Sequence, residues 1–175
     1  MLIVLSGLPG TGKSAIATRI AEVRGLPVLS VDPIESAIVR AGIAQSFETG
    51  LAAYVVAEAL AESMLMTGLS PVIDAVNSVD EARDMWRGLA AKRGVTLRII
   101  ECSIADDDAH RARLHARERG LAIPEPAWDE VVRRRQAWLS WPEPHVTIDG
   151  LADLEANVAA VLAFLERPVS APAGP

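Results

Sequence analysis

Gly7-Leu8-Pro9-Gly10-Thr11-Gly12-Lys13-Ser14 stands between the apolar run Met1-Leu2-Ile3-Val4-Leu5-Ser6 and the helix-compatible stretch Ala15 to Glu22. It is a G-x-x-x-x-G-K-[ST] motif in strand-to-helix context. The glycines let the backbone curl until successive N–H groups converge on one anion, and the helix that starts there adds its positive end. Gly7, Leu8, Pro9, Gly10, Thr11, Gly12, Lys13, Ser14 and Ala15 are therefore the expected cradle for a chain of phosphates. Lys13 is placed for the β- and γ-phosphates and the Ser14 hydroxyl for Mg²⁺. The alternative, a glycine-rich turn that binds nothing, does not need the strand, the lysine and the helix together.

The 175 residues, 50% hydrophobic and 23% charged, suit one soluble globular domain over residues 1–167 with a core of its own. A net charge of −6 argues against indiscriminate nucleic-acid binding, which runs on phosphate neutralisation by a basic surface. Cys102 is the single cysteine, too few for an internal disulfide and without zinc-ligand spacing. With no basic leader and no membrane-length apolar run, the expectation is a cytoplasmic protein with no membrane partner.

Pro27 to Asp32 and Pro71 to Ala75 read as a second and third strand, each ending in a carboxylate. Val95 to Cys102 and His145 to Asp149 supply two more. Helical stretches are expected near 13–24, 33–41, 50–67, 79–93, 106–119, 126–139 and 152–166. Short β-branched runs separated by helices mean parallel strands with crossover helices, a three-layer α/β fold. Leu51 to Met66 is apolar nearly all round apart from Glu58 and Glu62, which predicts a buried helix. Gly42 to Gly50 is a candidate cover for the substrate side, and residues 168–175 read as a disordered tail.

Ligands of open parallel sheets bind beyond the carboxyl ends of the strands, where the phosphate loop, Asp32 and Asp74 should meet. Asp32 is a candidate base for an attacking hydroxyl, and Asp74, at the end of an apolar strand, a candidate Mg²⁺ ligand. Either could instead cap the next helix. Arg113 and Arg117, four apart in a predicted helix from Asp106 to Arg119, share a face and could close over phosphates. The alternative there is a solvated face balanced by Asp106, Asp107, Asp108 and Glu118. Arg133-Arg134-Arg135 reads as a solvated face that could border an acceptor. The four tryptophans read as packing residues, and the three histidines show no metal or triad arrangement.

These motifs resemble the nucleoside-monophosphate-kinase-like P-loop kinases, in particular the AAA_33 group related to polynucleotide 5′-kinase, zeta toxin and chloramphenicol phosphotransferase. Gly7 to Ser14 looks like that group's phosphate loop, and Ser30-Val31-Asp32 like its second-strand aspartate, which contacts or deprotonates the acceptor hydroxyl. Val72-Ile73-Asp74-Ala75-Val76-Asn77 with Arg83, Trp86, Leu89 and Ala90 is similar to its hhDxxN segment. Arg113-Leu114-His115-Ala116-Arg117 is similar to its lid helix, whose arginines approach the nucleotide. The resemblance implies a five-stranded sheet in order 2-3-1-4-5 with a helical lid. It also implies Mg·ATP as donor, a small hydroxyl-bearing acceptor, and Lys13, Asp32, Arg113 and Arg117 in catalysis. Many relatives carry an arginine soon after the second-strand aspartate; here Pro33-Ile34-Glu35-Ser36 follows, and Arg40 is the candidate replacement.

The leading expectation is thus an ATP-dependent phosphotransferase acting on a small molecule. A polynucleotide 5′-kinase or nucleotide-sugar kinase comes second. An NTP-binding switch or ATPase is third, disfavoured by the lack of N-K-x-D and D-x-x-G signatures. The sequence leaves the acceptor and the oligomeric state open.

Overall fold

The computed structural model describes residues 1–168. Leu2–Ser6 (β1) is apolar without a break as far as Leu5 and buried throughout, as a strand covered on both faces must be. It pairs in parallel with Val72–Asp74 (β3) on one side and Leu97–Ser103 (β4) on the other. Val28–Ser30 (β2) continues the sheet beyond β3, and His145–Asp149 (β5) beyond β4. The order is β2-β3-β1-β4-β5, as the resemblance implied.

Among the described residues seven helices connect and cover the strands: Lys13–Arg24 (α1), Val31–Arg40 (α2), Phe47–Met66 (α3), Asp80–Arg93 (α4), Asp107–His115 (α5), Trp128–Gln136 (α6) and Leu154–Leu165 (α7). Successive strand residues point to opposite faces, so the core divides by parity. Leu2, Val4, Ile73 and Ile99 meet Trp86 and Leu89 of α4 and the alanines of α3. Ile3, Leu5, Val72 and Ile100 meet Ile16 and Ile20 of α1 and Val161 and Phe164 of α7. The three-layer α/β reading holds.

Three expectations need correction. β2 stops at Ser30 and α2 starts at Val31, so Asp32 lies in the first turn of a helix rather than at a strand end. Pro33 accounts for this, since proline fits the first turn, where its missing N–H has no partner to lose. Second, α5 ends at His115, so Arg117 and Arg119 lie in the segment after it and share no helix face with Arg113. Local propensity would continue the helix, but Arg117 and Arg119 are drawn to Glu125, and Arg119 also to Asp32.

The third concerns α3, which is not a buried helix. Its inward row is small, Thr49, Ala53, Ala57 and Ala61, while Phe47, Leu51, Val55, Val56, Leu60 and Met66 are exposed. An all-apolar helix needs only one face against the protein. The sequence cannot say which face, and here the small side chains bring the helix close. The tail expected from residue 168 lies, apart from Pro168, outside the described residues.

Candidate active site

The loop between β1 and α1 holds Gly7, Gly10 and Gly12 at φ of 153°, 89° and 89°, conformations that glycine adopts without strain. Side chains are excluded there for a second reason. A Cβ on Gly7 would lie 2.3 Å from the Cys102 carbonyl oxygen, and one on Gly10 would press on the His110 ring. The loop is braced internally by the Thr11 hydroxyl, which donates to the Leu8 carbonyl at 2.8 Å. It is braced against β3 by Gly7 N–H, which donates to Val76.

The Lys13 ammonium is buried and donates to the Leu8 carbonyl at 3.0 Å. Burial pushes its pKa below the ordinary lysine value, while the Asp74 carboxylate acts the other way. A buried cation with one neutral partner has donor capacity to spare for an anion. Ser14 lies beside it in the first turn of α1 and is exposed.

The parallel register sets Asp74 beside Leu5 on β1 and Ser30 on β2. Its carboxylate accepts from the Ser30 hydroxyl at 3.1 Å. Neither candidate aspartate caps a helix, because the N-cap positions of α2 and α4 are Ser30 and Val79, neither of which makes a side-chain cap hydrogen bond. Asp32, Asp74, Lys13, Ser14, Arg117 and Arg119 line one cavity of about 250 Å³. A larger adjoining space of about 370 Å³ is lined by Gly10, Gly12, Lys13, Ser14, Ala15, Arg113, Arg117 and Arg119. Two chambers therefore share Lys13, Ser14 and the two later arginines.

The arginines differ in what holds them. Arg113 donates to the Gly150 carbonyl, with its guanidinium close to Gly12. Arg117 approaches Glu125 at 3.3 Å, yet the buried nitrogen facing it has no hydrogen-bond partner. Burial and the neighbouring Arg119 lower the Arg117 pKa. An unsatisfied buried donor is costly, so this group is poised for an acceptor. Arg119 bridges Glu125 and Asp32.

Arg40 does not replace the arginine absent after Asp32. It stands at the far end of α2, about 12 Å along the helix axis, and is exposed. Arg119 takes that place from another part of the chain. Arg133 is exposed, while Arg134 pairs with Glu130 and Arg135 with Asp107, and none of the three lines the Asp32 cavity. Nor does Gly42 to Gly50 cover it; Leu121 does so from the segment after α5.

Two residues given no chemistry in the sequence prove central to the loop. His110 is fully buried, its Nε2 lies 2.7 Å from the Pro9 carbonyl, and its Nδ1 faces Arg135. Because Arg135 can only donate, Nδ1 accepts and the proton sits on Nε2, donated to the loop. Asn77, at φ 53°, donates to the Leu5 carbonyl and accepts from Trp86 Nε1, both at 2.9 Å. Its own carbonyl takes Arg83. Asn77 followed by a helix-borne Trp was visible in the sequence as a motif, but no sequence signal pointed to His110.

A parallel 2-3-1-4-5 sheet with a glycine loop between β1 and α1 defines a P-loop α/β domain. The AAA domain family AAA_33 matches residues 2–142, and the chain belongs to that family. No curated protein matches it in sequence. Among solved structures, a protein of Chloroflexus aurantiacus superposes with a TM-score of 0.76 at 22% identity, covering 94% of this chain and 98% of that one. A gluconokinase from Sinorhizobium meliloti gives 0.69 at 21%, covering 93% and 90%. The APS kinase of Mycobacterium tuberculosis, solved with AMPPNP and APS, gives 0.67 at 19%, covering 95% and 97%. At these identities the likeness establishes the shared fold.

Proposed function

We propose that this protein is an ATP-dependent kinase that transfers the γ-phosphoryl group of Mg·ATP to a hydroxyl of a small molecule. The observation that carries the reading is the second chamber: Asp32 and Asp74 share it with Lys13, Ser14, Arg117 and Arg119. A switch or simple ATPase needs the phosphate loop but no carboxylate-lined chamber beside it. The gluconokinase and APS kinase that share the fold support an acceptor of this size class. A polynucleotide acceptor is disfavoured because the three arginines at 133–135 do not border the chamber.

The loop N–H groups and the α1 N-terminus would hold the phosphates, with Lys13 turning from Leu8 to the β- and γ-oxygens. Hard oxygen donors suit Mg²⁺, and the Ser14 hydroxyl and the Asp74 carboxylate border the same chamber, so the donor set fits that ion. Bound there, Mg²⁺ would neutralise charge on the phosphates. Arg117, whose ion pair with Glu125 lacks hydrogen-bond geometry, would take up charge on the transferred group, and Arg113 would close over the loop. Asp32 would accept the proton of the attacking hydroxyl, with Arg119 fixing the carboxylate's orientation.

The test pairs a phosphate-transfer screen of hydroxyl-bearing metabolites with the variant Asp32→Asn. Mg·ATP affinity should stay within a few-fold while transfer falls by about 10²-fold or more. Asp74→Asn should weaken the response to Mg²⁺. ATP hydrolysis indifferent to every acceptor would favour the ATPase reading instead, and near-normal transfer by Asp32→Asn would remove Asp32 from the chemistry.

A further inference from the structure

Residues 116–127, between α5 and α6, form neither helix nor strand, yet they supply Arg117, Arg119 and Leu121 to the chamber that holds Asp32. Something other than secondary structure sets their path. Among the described residues, no backbone–backbone hydrogen bond involves 118–126. Two hydrogen bonds tie that stretch to the rest of the described protein, and both go to α2. Arg119 donates to the Asp32 carboxylate, and the Ala122 N–H donates to the Ser36 hydroxyl at 2.8 Å. Asp32 and Ser36 are four apart in a helix, hence on one face and about 6 Å apart along its axis.

The two ties differ in kind. Arg119 is a charged group at a chamber wall, where an entering ligand can compete for it. Ser36 is fully buried and lines neither chamber, so no ligand there competes for its hydroxyl. Its identity is informative too, since serine is a poorer helix former than alanine and a buried hydroxyl is costly unless bonded. On local grounds alone alanine would suit this position better. The bond to a segment 86 residues away is what offsets the difference.

We infer that Ser36 is a positioning residue: it pins the segment after α5 to α2 so that Arg119 meets Asp32, and it keeps that register when a ligand draws Arg119 away. Leu121 lies in sequence between the two tied residues, so the same pin sets the wall that Leu121 gives the chamber.

The effect on transfer rests on the kinase reading, but the pinning of Arg119 does not, and trypsin reads the pinning by itself. Trypsin cleaves after arginine by taking the guanidinium into its own pocket, so the Arg119–Gly120 bond is cut only when Arg119 has left Asp32 and Glu125. Where reclosing outpaces cleavage, the rate follows the open population. Losing one ordinary hydrogen bond should raise that population roughly 2- to 10-fold, and Ser36→Ala should be cut after Arg119 faster by that factor. Arg40, exposed at the end of the same helix, is the control and should be cut at the parent rate. In transfer assays Ser36→Ala should lower kcat severalfold and leave the KM for ATP unchanged, and this loss should vanish when Arg119→Ala is already present. Unchanged cleavage after Arg119 would overturn the inference, as would equal acceleration at Arg40, which marks a general loosening of α2. A loss of kcat undiminished in the Arg119→Ala background would overturn it as well. If the parent phosphorylates no acceptor, the kinase reading fails, and the cleavage rates still decide the role of Ser36.

Discussion

Asn77→Ala tests how the phosphate loop is anchored, because Asn77 ties the end of β1 to α4 from a fully buried position. The substitution removes the donor to the Leu5 carbonyl and the acceptor for Trp86 Nε1. It leaves both partners buried and unpaired, at about 1–3 kcal/mol each. The backbone adds to this: φ is 53°, a left-handed conformation that asparagine tolerates through local hydrogen bonding and alanine does not, at roughly 1 kcal/mol. The sum is about 3–7 kcal/mol, a large part of the roughly 5–15 kcal/mol that holds a domain. At about 2–4 °C per kcal/mol for this chain length, thermal unfolding should fall by roughly 6–28 °C. Asn77→Gly keeps the hydrogen-bond loss but relieves the dihedral, so it should unfold about 1 kcal/mol above Asn77→Ala. The assay is urea unfolding of parent and both variants by tryptophan fluorescence, which Trp86 itself reports. A loss under 1 kcal/mol in Asn77→Ala would refute the hub, and equal stability of the two variants would refute the dihedral argument.

Lys13→Ala should weaken ATP binding by about tenfold or more, from the loss of a charge-assisted hydrogen bond worth about 1.5–3 kcal/mol; parent-like titration would end the phosphate-loop reading. Arg117→Ala should lower turnover by about 10²-fold with little change in unfolding temperature, whereas equal losses of stability and turnover would make it a structural ion-pair residue. His110 makes stability depend on pH with a definite sign. Burial lowers its pKa from 6.5, so below that pH the unfolded chain binds a proton that the folded protein refuses. Folded Nδ1 faces Arg135, itself paired with Asp107, and Lys13, Arg113 and Arg117 add positive charge around the ring. Stability should therefore decline as pH falls from 6.5. His110→Gln should flatten that decline in unfolding curves taken across the same range, and an unchanged slope would exclude His110 as its source.

How far the sequence revealed this site depends on whether a role is local. The phosphate loop is legible because its chemistry lies in consecutive residues, and the structure returns the strand, the loop and the helix where the motif put them. Asp74 is legible for a similar reason, since a buried parallel strand ending in a carboxylate places that carboxylate at the loaded edge of the sheet. Asp32 reached the expected chamber through the wrong element, because a two-residue shift of the β2 boundary changed strand into helix while leaving the chain's path intact. Arg119 and His110 were not legible. One acts across 87 residues on Asp32 and the other across 101 on Pro9, distances over which no periodicity survives.

The same distinction explains why Arg113 and Arg117 were grouped on one helix face when the structure separates them. Helical spacing is a statement about neighbours within an element, and it lapses where the element ends. Here α5 ends because Glu125 and Asp32, which are not its neighbours in sequence, offer partners to Arg117 and Arg119 that a continued helix would not reach. The segment after α5 is thus set by Asp32 and Glu125 as much as by its own residues. An acceptor that displaces Arg119 from Asp32 would loosen the segment that also carries Arg117. On the proposed function, acceptor binding and closure over the nucleotide would be coupled through one stretch of about three residues, which gives Arg119→Ala a distinct signature. Acceptor and ATP should bind independently in that variant, whereas in the parent each should change the other's affinity.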